Sequence, residues 1–189
     1  MYSIGMSFLT VSELTAVGLK GFGSNVSISR YARMYNPSNI LLGNNIRIDD
    51  FCILASGSQP FILEDYIHIA GGVYIYGHAG FHMKKYSNIS SGTKIYTQSD
   101  SYCGNYMIGP TIPIKYRNVY GYPLVIEKHV TVGTGSTILP GSVIGEGVAI
   151  GANSLITKEC KPWGIYVGSP AKFIKERSKQ LLELEKELA

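Results

Sequence analysis

From residue 126 an aliphatic side chain returns at every sixth position: Ile126, Val132, Ile138, Ile144, Ile150 and Ile156. No helical period gives six, and a protein of hairpins would not hold so strict a register. Fixed repetition of this kind is the signature of a solenoid. Three hexads make one triangular coil of three short strands. Gly133, Gly135, Gly141, Gly145, Gly147 and Gly151 fall between the strands, where tight corners need them. Upstream the beat continues with interruptions. Leu42, Ile48 and Leu54 form one triplet, Leu63, Ile69 and Ile75 a second, and Met83, Ile89 and Ile95 a third. Ile28 and Met34 fit a partial first coil, so about six coils are expected.

Every interruption follows the third hexad of its coil. Stacked coils put equivalent hexads above one another, so the insertions Ala55–Phe61, Tyr76–His82 and Thr97–Pro123 should emerge along one edge of the prism. The last is too long to be a plain connection in a compact domain, and such loops are usually functional. Its dense Tyr, Pro and Gly predict an ordered arm that packs on something, with a neighbouring subunit the expected partner.

The ends differ. Thr10-Val-Ser-Glu13 followed by Gly18 predicts a short helix with a capping start and a glycine stop. Ile174, Leu181, Leu184 and Leu188 on one face predict a helix over Ala171–Ala189. Repeat stacks need covered ends. The expected organisation is therefore a helical cap over 1–25, a β-helix over 26–170 carrying the loop 97–123, and a C-terminal helix over 171–189.

Composition narrows the function classes. Mean hydropathy is +0.09 and 45% of residues are hydrophobic, which excludes a disordered chain. The net charge of +4 suits an anionic small ligand, while Lys and Arg cluster only near the C-terminus, which argues against nucleic acid. No run approaches a membrane span and no secretory signal is visible. Three cysteines without CxxC or Cys/His spacing fit a reduced, cytoplasmic protein without a metal.

The hexads, the late loop and the ending Trp163-Gly-Ile-Tyr-Val-Gly-Ser-Pro-Ala-Lys-Phe-Ile-Lys together resemble the hexapeptide-repeat acyltransferases, over about residues 26–177. The likeness is nearest to the galactoside, xenobiotic and sugar-nucleotide acetyltransferases. It implies an all-β fold with helical ends: a left-handed parallel β-helix, a homotrimer, and acetyl-CoA bound between adjacent subunits. Parallel crossovers are normally right-handed, so the left hand rests on the resemblance alone. Carried over position by position, the contacts to CoA fall on Thr134, Ala152, Thr157 and Lys158. Lys172 and Lys175 become the phosphate partners, with Arg177 in reserve.

Acetyl transfer inside a ternary complex needs a deprotonated nucleophile, an aligned thioester and donors for the oxyanion, but no covalent enzyme intermediate. The galactoside enzymes carry a histidine just after the last strand before the long loop. Here that segment reads Ile95-Tyr-Thr-Gln-Ser-Asp100, so the position falls at or beside an aspartate. His78, in the insertion one coil below, shares an edge with Asp100 and is the expected general base among the four histidines. Ser99, Tyr102 and His82 are the expected acceptor contacts. His129 sits at the coil position of Tyr66 and Tyr86 and is expected to stack on them, and His68 to face outward from a strand. These spacings do not match the zinc triad of a γ-class carbonic anhydrase.

The sequence thus predicts an acetyl-CoA-dependent acetyltransferase acting on a sugar or sugar nucleotide of cell-surface polysaccharide. An amino sugar is favoured, because a neutral amine attacks a thioester with less help than a hydroxyl needs. The alternatives are O-acetylation of a polysaccharide unit or xenobiotic, and a non-catalytic β-helix scaffold.

Overall fold

The computed structural model describes residues 7–188. The chain winds as a parallel β-helix whose strands stack into three sheets of seven, eight and six strands, one for each face of a triangular prism. A representative turn runs Ile40–Leu42 on the first face, Ile46–Ile48 on the second and Ile53–Ser56 on the third. Six turns place a strand on every face. A seventh contributes only Glu159–Cys160 and Gly164–Val167, on the first and second faces.

Register follows from the ladder. Ile126 pairs with Ile144, Val132 with Ile150 and Ile138 with Ile156. All six are 3% exposed or less, as are the members of the three upstream triplets. Three inward columns of aliphatics thus form one continuous core. Burying each such side chain contributes about 1.5–3 kcal/mol, and a residue moved by one place would turn its side chain outward.

The corner between the first and second faces is held in left-handed backbone. Asn25, Asn45, Tyr66, Tyr86, His129 and Trp163 all have φ between 53° and 60°. Asn25 Nδ2 donates to Asn45 Oδ1 at 2.8 Å. Above them the column turns aromatic: Tyr66 stacks on Tyr86 at 5.1 Å between centroids, and Tyr86 on His129 at 5.3 Å. His129 therefore stacks where the hexad count places it. Its ring also meets Trp163 and its Nε2 lies 2.8 Å from Glu185 Oε2.

Both ends are covered. The N-terminal helix, α1 (Val11–Val17), begins at Thr10 with a reciprocal capping box to Glu13 and stops at Gly18 in left-handed backbone. Residues 1–6 of the expected cap lie outside the described residues, and the coils begin earlier than residue 26. Gly21–Phe22 already pairs with Leu41–Leu42.

The C-terminal expectation needs a larger correction. Residues 171–189 do not form one helix. Lys172–Glu176 is a strand that turns back antiparallel on Gly164–Val167, and only α2 (Leu181–Leu188) is helical. Ala189 lies outside the described residues. The physical cause is the last strand of the second face, which would otherwise end the sheet as an open edge. Phe173 meets the Tyr166 ring edge-on at 5.7 Å across that pair.

Candidate active site

All three insertions leave the prism between the third and first faces. The long one starts with Gln98–Asp100, which pairs antiparallel with Val119–Gly121 and makes the arm a hairpin at its base. That base rests on the insertion of the coil below: Ala79 N–H donates to Thr97 Oγ1 at 2.9 Å. Gly121 is needed there, because a Cβ would press on Ala79 and Gln98.

A cleft of about 420 Å3 opens between the arm and the third face, lined by Tyr76, His78, Tyr96, Gln98, Ser99, Asp100, Pro110, Arg117 and Val119. It brings together two residues 22 positions apart in sequence, His78 and Asp100. Three rings stand nearly parallel along one wall. Tyr76 lies 5.3 Å from Tyr96 with 12° between planes, and 6.4 Å from His78 with 9°. Burial, with the neighbouring Tyr76 and Tyr102 hydroxyls, pushes the Tyr96 phenol up, so it remains a neutral donor.

Asp100 is not a turn aspartate bonded to its own backbone. Arg117 Nε donates to its Oδ1 at 2.9 Å and Nη2 to its Oδ2 at 3.1 Å. Both side chains are only 15% exposed. Ser99 Oγ donates to the Asp100 carbonyl at 3.0 Å, so this hydroxyl is spent on backbone rather than on a base. Sequence spacing did not reveal Arg117, because it sits across the arm and belongs to no motif.

A second cleft, of about 440 Å3, shares Tyr96, Gln98 and Ser99 with the first and continues to Tyr102, Tyr120, Leu139, Pro140 and Thr157. A third, of about 200 Å3, takes up Thr157 again and adds Lys158, Glu159, Pro170 and Ala171. One edge thus carries a run of concave surface from Asp100 to Lys158. His82 is elsewhere. It lies on the outer side of Phe81–Met83 on the first face, 2.8 Å from Glu64 Oε1, in a separate hollow. Thr134 and Ala152 are also apart, on adjacent coils of the second–third corner, where Asn153 N–H donates to the Thr134 carbonyl at 2.8 Å. Lys172 and Lys175 are exposed on the added strand, beside Val167 and Ile165.

The bacterial transferase hexapeptide family of six repeats matches residues 123–158. The dTDP-4-amino-4,6-dideoxy-D-glucose acyltransferase of Escherichia coli is 44% identical over 180 residues, covering 95% of this chain and 94% of that one. The chain belongs to the hexapeptide-repeat acyltransferases. Solved relatives of this acyltransferase agree in shape. AntD, an N-acyltransferase from Bacillus cereus in complex with dTDP and 3-hydroxybutyryl-CoA, superposes with a TM-score of 0.92 at 45% identity, over 97% of this chain and 96% of that one. A variant of AntD in complex with dTDP-4-amino-4,6-dideoxyglucose and Coenzyme A gives 0.93 at 43%, over 97% of both chains.

For an acyltransferase the notable feature of the first cleft is a fixed anion. The Ser99 hydroxyl donates to a carbonyl, and the cleft's carboxylate is tied to a guanidinium. Neither serves as an activated nucleophile, which suits direct transfer between two bound substrates.

Proposed function

We propose that this acyltransferase moves an acyl group, acetyl in the simplest case, from a CoA thioester to the amino group of a deoxysugar carried on dTDP. The carrying observation is the ion-paired Asp100 in the cleft beneath the arm, an acceptor suited to the N–H bonds of an amine. The amine nitrogen attacks the thioester carbon, the C–S bond breaks, and the proton lost from nitrogen ends on the departing thiolate. His78, at the same cleft, is the group that relays that proton. Ser99 and Tyr102 flank the path between the sugar and the acyl carbon.

The surface fits CoA in kind. Thr157 and Lys158 continue the run from Asp100, and Lys158, Lys172 and Lys175 offer exposed cations for phosphates on the last coils. Thr134 and Ala152 lie on a different edge of the same chain. A homotrimer whose neighbours meet edge to edge unites both sets in one site, and the arm supplies apolar contact area, with Tyr102, Met107, Ile108 and Ile114 between 48% and 77% exposed. Among the described residues no helix is long and apolar enough to cross a membrane. The three free thiols suit a reducing, cytoplasmic setting.

Thiol release from acetyl-CoA tests the reading. Turnover is expected with dTDP-4-amino-4,6-dideoxyglucose and not with its 4-hydroxy counterpart; equal rates on both would overturn N-acylation. Asp100→Asn should lower kcat/KM about ten- to a hundredfold, the scale of a lost charge-assisted hydrogen bond. His78→Ala should lower kcat by at least about tenfold. If both variants keep the wild-type value, neither role stands.

A further inference from the structure

We infer that Arg117 is the positioning residue for Asp100: it fixes the plane in which the carboxylate meets the acceptor amine. This rests on the reading of Asp100 given above. Arg117 begins the return limb of the arm, where Ser101 N–H donates to the Asn118 carbonyl at 2.8 Å and Asp100 pairs with Val119. Its side chain crosses between the two limbs. Oδ1 of Asp100 lies 2.9 Å from both Nε and Nη2. Oδ2 accepts from Nη2 at 3.1 Å and from the Gly109 N–H at 3.4 Å. The planar fork therefore grips both oxygens and sets the carboxylate plane, leaving acceptor capacity on the carboxylate for a further donor.

The degree of shelter separates this pair from the other arginine and lysine ion pairs among the described residues. Arg30–Glu13, Arg47–Asp49, Lys84–Glu127, Lys85–Asp65, Lys128–Glu185 and Lys186–Glu183 each have at least one partner more than 30% exposed. Arg117 and Asp100 are both at 15%. Withdrawing two charges from water is weak support for stability, but it does hold an orientation. Here it holds one at the cleft wall, beside His78 and the parallel rings of Tyr76 and Tyr96. A carboxylate so tethered aligns the N–H bonds of an amine and keeps its lone pair directed at the thioester. It does not swing in to take a proton and carry it away.

A double-mutant cycle on the full-length enzyme tests this, with kcat and both KM values measured for wild type, Arg117→Ala, Asp100→Asn and the double variant. If Arg117 acts through Asp100, Arg117→Ala lowers kcat about tenfold or more and leaves KM for acetyl-CoA within about twofold. The double variant is then no slower than Asp100→Asn alone, within about twofold. Arg117→Lys, which keeps the charge and loses the fork, should recover part of the rate; it also carries the test if the alanine variant does not fold. Losses that multiply in the double variant overturn the proposal, since they assign Arg117 a separate role in building the arm. A slow Asp100→Asn beside a wild-type Arg117→Ala or Arg117→Lys overturns it while leaving the Asp100 reading intact. A wild-type Asp100→Asn removes both.

Discussion

One missing atom keeps the first–second corner continuous. Gly147 occupies the coil position of Tyr86 and His129, at φ +68°, and the Trp163 ring lies where its Cβ would project. The indole thereby fills the level of the column that Gly147 leaves empty and closes on His129 at 6.2 Å. Gly147→Ala must displace that ring and adopt left-handed backbone at once. It should cost about 2–4 kcal/mol and lower Tm by roughly 5–12 °C for a chain of this size. A thermal melt checks it, and a Tm within a degree of wild type refutes the packing account. His129 was legible in the sequence because a coil position three residues past the ladder is fixed by counting alone. Arg117 was not. It lies 17 residues from Asp100, in a segment without repeats, and only the folded arm brings the two together.

Among the elements, those governed by local chemistry were readable and those governed by distant pairing were not. Helix α1 follows from Thr10, Glu13 and Gly18, three residues that act on their own turn. Strand Lys172–Glu176 exists because Gly164–Val167 needs a partner, and a Lys-Phe-Ile-Lys-Glu segment reads equally well as amphipathic helix. The seat of α1 also titrates. Arg30 donates to both Glu13 carboxylate oxygens, at 2.6 and 2.7 Å. With the Thr10 backbone and hydroxyl, it lowers the Glu13 carboxyl from 4.5 to about 2. A carboxyl lowered in the folded state adds stability that is present in full above its unfolded value and fades as pH falls through its folded one. The Tm gap between wild type and Glu13→Gln should therefore be open above pH 4.5 and close toward pH 2. A gap constant across that window would show that the pair does not help to seat α1.

For the whole molecule, the decisive geometry is that one chain offers its proposed site residues on two edges. Asp100, Thr157 and Lys158 follow the edge of the insertions, whereas Thr134 and Ala152 follow the next edge round, across the third face. The period of six made the edges predictable, since it fixes which residues stack. It says nothing about what an edge meets, because that depends on a second copy. In the proposed trimer each site takes one edge from each of two neighbours, and this can be read from activity alone. Asp100→Asn removes the acceptor-side contact, and Thr134→Trp blocks the other edge with bulk. Each homotrimer should keep about a tenth of wild-type turnover or less. Unfolded together and refolded as an equal mixture, the two variants assemble at random, and about one site in four draws its Asp100 from one parent and its Thr134 from the other. Recovery of roughly a quarter of wild-type turnover is expected. A mixture no more active than its parents, with subunit exchange confirmed by mass, would put the whole site within a single chain.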